Sequence, residues 1–236
     1  MRILGHRGAS ASFPENTLAA FQGAVAAKAD GIELDVMRCG SGELVVVHDE
    51  NLERLAHRRW WVAHTPWWRL KTADVGTPLG FAPAHIPLLS DVFDAVPKGF
   101  FVNVELKCET ADDGGLSEAV AEFLLHRGVE ESVLISSFNP LCLLRLQPFS
   151  SLRRGLLIDP DKAWLPQAVF WLPVVGRDSV HPHFSAVTED RVRFWKERGL
   201  EIAVWTVDDP VEARRLMDLG VDDVITNRPG ELRAEL

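Results

Sequence analysis

The chain has 236 residues, of which 47% are hydrophobic and 25% charged, and its net charge is −9 at pH 7. That length suits one α/β barrel, which runs to about 250 residues as a unit, and the acidic balance argues against nucleic acid or an anionic membrane surface as the main partner. Three cysteines without a Cys-x-x-Cys pair fit a reducing compartment, and with no secretion signal or apolar span of ~18 residues visible, a cytoplasmic protein is the expectation.

In chain order, the first strand is expected at 2–6, ending on His6-Arg7, and a helix at 16–28 follows Pro14-Glu15. A second strand, 31–37, carries Glu33 and Asp35, and a third, 44–48, ends on His48. The segment 51–88 shows no periodicity and holds Trp60-Trp61 and Trp67-Trp68, as an irregular excursion over a barrel mouth would. Next come a helix at 89–96, a strand at 100–106 and a helix at 116–127. A strand at 133–137 leads into a helix at 139–146, and strands follow at 154–158 and 179–182. A helix at 188–198 opens at Thr188 and stops at Gly199. The strand 201–207, a helix at 210–219 stopped by Gly220 and the strand 223–226 complete the chain.

Strand and helix alternate, which implies a mainly parallel sheet. The nine strands are one more than a (β/α)8 barrel needs. Only residues 38–43 separate the second and third, whereas a parallel crossover needs about a dozen or more. The strand at 44–48 is therefore expected to run antiparallel, as a hairpin over 31–48 that brings His48 back to the mouth. The expected architecture is α/β: one (β/α)8 TIM barrel domain spanning 1–236.

Glu33 and Asp35 are two apart on a strand, so they share a face with backbones about 6.6 Å apart. Glu105 and Lys107 repeat that spacing at 100–107. Ion pairing with Lys or Arg is one reading of these carboxylates. The other is a metal site: three carboxylates from adjacent strands form an all-oxygen set suited to Mg²⁺ or Ca²⁺ rather than zinc. Lys107 would then face a phosphate oxygen, and Arg7 offers a fork of donors to the same group. A lone His at a strand end serves as well in a structural hydrogen bond, but His6 and His48 bracketing the carboxylates suit paired proton transfer. His181 and His183, around Pro182, suit pocket lining better than metal ligation. Phe138 and Trp205 would supply either an apolar wall or core packing, and the tryptophan pairs at 60–61 and 67–68 either touch the alcohol part of a substrate or pin a loop.

These residues carry a resemblance. His6-Arg7-Gly8, Pro14-Glu15-Asn16-Thr17 running on to Phe21, the Glu-Leu-Asp-Val and Val-Val-His-Asp pair, Val-Glu-Leu-Lys, Trp-Thr-Val and the closing Gly-Val-Asp-Asp-Val-Ile-Thr-Asn-Arg-Pro resemble the glycerophosphodiester phosphodiesterase family, from residue 3 to about 230. The resemblance implies a divalent metal on Glu33, Asp35 and Glu105, a general acid/base pair in His6 and His48, and phosphate contacts from Arg7 and Lys107. It implies hydrolysis of a glycerophosphodiester to glycerol 3-phosphate and an alcohol. Analogy with related phospholipases points to the glycerol 2-hydroxyl as nucleophile, giving a cyclic phosphate that water opens. Asn227, where family members often have Asp, and Asp208, where Asn is common, depart from the pattern and are expected to lie clear of the core motifs.

Two alternatives compete. Phospholipase D-like hydrolysis of lysophospholipids or sphingolipids would make use of the tryptophan-bearing excursion, although no secretion signal accompanies it. A non-catalytic phosphate-binding barrel belongs to a different class, and binding alone needs no paired acid and base.

Overall fold

The computed structural model describes residues 1–160, 175 and 177–236. Its strands are β1 (Arg2–His6), β2 (Gly31–Arg38), β3 (Leu44–Val46), β4 (Phe101–Leu106), β5 (Val133–Ser137), β6 (Arg154–Ile158), β7 (Ser179–Pro182), β8 (Glu201–Val204) and β9 (Asp223–Thr226). Eight of them are parallel and close into a barrel, with β1 pairing to both β9 and β2. Helices surround this (β/α)8 barrel. β3 alone is antiparallel: Arg38 faces Leu44 and Val36 faces Val46. The hairpin demanded by the short 38–43 connection is present. Beyond β3, the Val47 N–H donates to the Asp35 carbonyl at 3.0 Å, which sets His48 beside the end of β2.

Side chains at Thr17, Asn139, Thr188 and Asp209 each accept a backbone N–H of the helix that follows, which satisfies a donor otherwise orphaned at a helix start. The helix Pro229–Glu235 lies outside the expected elements. Its two buried residues, Pro229 and Leu232, give no period to read.

Strand alternation sorts the side chains. Ile3, Ile32, Leu34, Val36, Val102 and Val104 face outward into the main core beneath the helices. Leu4, Phe101, Leu134, Ala203 and Ile225 fill the barrel itself. At its floor the Arg2 guanidinium lies 4.2 Å from the centre of the Phe101 ring and donates to Asp223 at 2.6 and 2.8 Å. The same parity turns Glu33, Asp35 and Glu105 inward, with Asp35 opposite Glu105 across β2 and β4.

The excursion at 51–88 has a core of its own. Leu52, Leu55, Val62, Leu70, Val75 and Ile86 pack against Met37 and Val45 of the hairpin, and Trp60 and Trp67 lie on that cluster. Its helices, Glu53–Ala56 and Trp67–Leu70, span four residues each, too short to show a period.

Two predictions follow from this packing. Gly8 sits at φ +85, and a Cβ there would lie 2.5 Å from the Ala20 carbonyl carbon. Gly8→Ala is expected to lower unfolding free energy by ~2 kcal/mol or more; Gly99→Ala, at φ +79 with nothing within 4 Å, should cost only ~1 kcal/mol. Urea midpoints compare them. His181 points into the barrel with neither ring nitrogen hydrogen-bonded to a described residue, and burial, helped by Arg153 and Arg2, pushes its imidazole from 6.5 down to about 3. The unfolded chain therefore binds that proton more tightly. The contribution of this group to stability is complete above pH 6.5 and is lost as pH falls towards 3. A His181→Leu variant should gain on the wild type over that range, and a pH-independent difference between the two would contradict a buried neutral imidazole.

Candidate active site

β1 delivers His6 to the mouth, and the chain then turns sharply through Arg7 at φ +55 and Gly8 at φ +85. Pro14-Glu15-Asn16-Thr17 closes this turn against β2. The Asn16 N–H donates to the Arg7 carbonyl at 3.0 Å. The Asn16 side chain donates Nδ2–H to Asp35 Oδ2 at 2.8 Å and accepts the Asp35 N–H at 3.2 Å. Glu15 accepts from Arg7 at 2.8 Å.

Glu33, Asp35 and Glu105 come together as expected. All three are buried, and one oxygen from each lies within 4.8 Å of the others. Burial, reinforced by Asp35 and Glu105, pushes the Glu33 carboxyl well above its ordinary range. Burial also raises Glu105, against the pull of Lys107. For Asp35, burial is outweighed by Arg7, Lys107 and His48, and its carboxyl is lowered. Lys107 donates to Glu105 at 2.9 Å and lies 3.7 Å from Asp35. Glu33 Oε1 and Asp35 Oδ1 are buried without a hydrogen-bond partner. Such oxygens are expensive to hide unless a cation or proton satisfies them. A hard divalent cation fits this donor set.

The two histidines flank the carboxylates in different settings. His6 Nε2 lies 3.9 Å from Glu33. Its Nδ1 lies 2.7 Å from Asn227 Oδ1, and Asn227 Nδ2 donates to Asp208 Oδ2 at 2.7 Å. Because the Asp208 carboxylate takes the amide N–H, the amide oxygen must face His6. Nδ1 therefore carries the proton and Nε2 the lone pair. Burial, with Arg7 adding, pushes His6 from 6.5 down to about 4. The expectation that Asn227 and Asp208 lie clear of the core motifs is thus corrected: Asn227 touches His6 directly, a contact between opposite ends of the chain that no local spacing reveals.

His48 rests on a carboxylate instead, its Nδ1 2.8 Å from Asp49 Oδ1. Hydrogen bonds from His48 and Arg54 hold Asp49 well below the usual range although burial opposes them. Arg54 donates to Asp49 at 2.7 and 2.9 Å and to Glu15 at 2.8 and 2.9 Å. A chain of ion pairs, Arg7–Glu15–Arg54–Asp49–His48, thereby ties the first barrel loop to the excursion. Glu15, Asn16, Asp49 and Arg54 had no assigned role in the sequence reading, although the first three lie inside its motifs.

A cleft of about 1200 Å³ opens over His48, Asp49, Arg54, Glu105, Lys107 and Phe138. A smaller one, about 290 Å³, is lined by His6, Arg7, Glu15, Asp208 and Asn227. Phe138 forms an apolar wall of the larger cleft. Trp205 stands behind it, edge-on at 5.4 Å, with its Nε1–H on the His181 carbonyl at 2.8 Å. His183 packs on Trp205 at 5.0 Å. Arg7 is already engaged by Glu15, with Asp35 3.2 Å away.

A family model described as "Glycerophosphoryl diester phosphodiesterase family" matches residues 6–231. The chain belongs to that family. It is similar to a glycerophosphodiester phosphodiesterase of Caldanaerobacter subterraneus subsp. tengcongensis, at 34% identity over 98% of this chain and 95% of the relative. It is equally similar, at 34%, to the protein YqiK of Bacillus subtilis, over 100% and 98% of the two chains. Among solved structures, an Oleispira antarctica phosphodiesterase in complex with the product sn-glycerol-3-phosphate superposes with TM-score 0.85 at 26% identity, covering 100% and 96% of the chains. The glycerophosphodiester phosphodiesterase of Thermotoga maritima gives TM-score 0.81 at 29% identity, covering 99% and 97%. This member of the family is a phosphoric diester hydrolase, and among the described residues no helix is long and apolar enough to cross a membrane.

Arg54 generates the prediction of this site. Arg54→Ala should lower kcat by ~10–100-fold, the range for residues that orient a catalytic group. Arg54→Lys should recover little of it, since a point charge cannot bridge two carboxylates as a guanidinium fork does. Steady-state kinetics alongside circular dichroism tests this; a fully active Arg54→Ala would remove the clamp from the mechanism.

Proposed function

We propose that this phosphodiesterase hydrolyses glycerophosphodiesters to sn-glycerol 3-phosphate and an alcohol, with a divalent cation, Mg²⁺ or Ca²⁺, at Glu33, Asp35 and Glu105 and with His6 and His48 moving the protons. One observation carries the reading: three buried carboxylates, two of them with an unpartnered oxygen, lie between two histidines backed by different groups. A cation bound there would polarise a non-bridging phosphoryl oxygen and offset charge developing on the phosphate.

His6, neutral with its Nε2 lone pair towards the carboxylates, accepts the proton of the attacking hydroxyl. His48, its ring held by the Asp49 carboxylate, gives a proton to the departing alkoxide. Lys107 lines the cleft and meets a phosphate oxygen. Arg7, held by Glu15 and Asp35, contributes charge at a fixed position. Phe138, with Trp205 behind it, bounds the alcohol. If the 2-hydroxyl of glycerol attacks first, the two histidines exchange roles when water opens the cyclic phosphate. The cytoplasm fits such a water-soluble substrate.

Release of glycerol 3-phosphate from glycerophosphocholine tests the whole. Activity should vanish on chelation and return with Mg²⁺ or Ca²⁺. His6→Ala and His48→Ala should each lower kcat by ~10²–10⁴. Choline release from lysophosphatidylcholine without glycerol 3-phosphate production would favour phospholipase D-like chemistry, full turnover after rigorous chelation would refute the metal, and unchanged turnover in both histidine variants would refute the proton-transfer pair.

A further inference from the structure

The net charge of −9 is not spread evenly. Residues 54–71 contain five Arg and Lys, four Trp and no Asp or Glu. Arg54 is taken up by Glu15 and Asp49, and Arg59 by Glu53. Arg58, Arg69 and Lys71 are exposed and form no ion pair with a described residue. In the same stretch of sequence two large apolar rings stand in solvent, Trp61 at 50% and Trp68 at 67% exposure. Their sequence neighbours Trp60 and Trp67 pack on the core of the excursion instead, so the pairs at 60–61 and 67–68 each send one ring inward and one outward. The inner rings account for folding of the loop. The outer ones have no such explanation.

We infer that this face of the excursion docks on a bilayer bearing anionic phospholipids. Indole rings favour the headgroup boundary, where an apolar body and a polar N–H are both accommodated. Basic side chains beside them gain from the negative surface potential. A hollow in the same segment suits a headgroup phosphate. It measures about 560 Å³ and is lined by Arg58, Trp60, Arg69, Thr72 and Asp74, among others. The Arg69 guanidinium lies 4.4 Å from the centre of the Trp60 ring and that of Arg58 6.0 Å. Contact with a ring face holds a guanidinium in place without neutralising it, leaving its N–H donors for phosphate. The carboxylate on the wall, Asp74, is occupied by the backbone N–H groups of Gly76, Thr77 and Ala84 at 2.9 to 3.2 Å. The overall charge disfavours an anionic surface, but screening confines repulsion from distant carboxylates to roughly 8–10 Å, so this face decides adsorption. The same excursion supplies Asn51 and Arg54 to the rim of the main cleft, and docking would bring that cleft alongside the lipid.

Co-sedimentation of the full chain with vesicles tests this without requiring turnover, so its failure would leave the catalytic reading untouched. The wild type should bind vesicles of phosphatidylcholine containing about a third phosphatidylglycerol, bind pure phosphatidylcholine far more weakly, and release as salt rises to ~0.5 M. The triple change Arg58→Ser, Arg69→Ser, Lys71→Ser should weaken binding by about 100-fold, at roughly fivefold per basic residue. Trp61→Ser with Trp68→Ser should weaken it tenfold or more. Both variants should turn over soluble glycerophosphocholine as the wild type does, which confirms that they are folded. Absence of wild-type binding at low salt overturns the inference, as does binding undiminished in both variants.

Discussion

Three buried carboxylates, with an oxygen of each within 4.8 Å of the others inside a barrel, constitute the constraint around which this molecule is organised. Left alone they would take up protons or drive the strands apart. Arg7 and Lys107 supply positive charge at the rim, Asn16 saturates one face of Asp35, and the remaining bare oxygens suit a cation. The motif Pro14-Glu15-Asn16-Thr17 belongs to this arrangement. Its Glu15 and Asn16 hold Arg7 and Asp35 in place.

The two histidines show how one residue type is given two different backings. A neutral amide behind His6 selects its tautomer, whereas a carboxylate holds the ring of His48. Both backings depend on remote chain segments. Asn227 reaches His6 from the far end of the sequence across the β1–β9 seam, and Arg54 reaches Asp49 from the excursion.

Much of this was legible in the sequence because its signals were local. Glu33 and Asp35 lie two apart on an apolar run, so their common face follows from strand geometry. The hairpin followed from six residues being too few for a crossover. Thr188 and Gly199 marked a helix chemically. What escaped notice depended on contacts between distant segments or on turns too short for a period. Asn227 was read as a departure from a pattern when it is a partner of His6. Arg54 was one charge in a featureless stretch, since helices of four residues leave no rhythm. The helix Pro229–Glu235 was missed because two buried positions define no stripe.

The placement of the excursion has a consequence for how such an enzyme diversifies. The whole of 51–88 is inserted in one connection, between the hairpin and β4, and packs chiefly on itself and on that hairpin. Its interior can be rewritten without disturbing the registers of the eight barrel strands. The stretch from His48 to Arg54 is instead tied by ion pairs to Glu15 of the first barrel loop. Natural variation in what this barrel attends to would therefore concentrate after Arg54, in a region free to drift while the machinery beside it stands still.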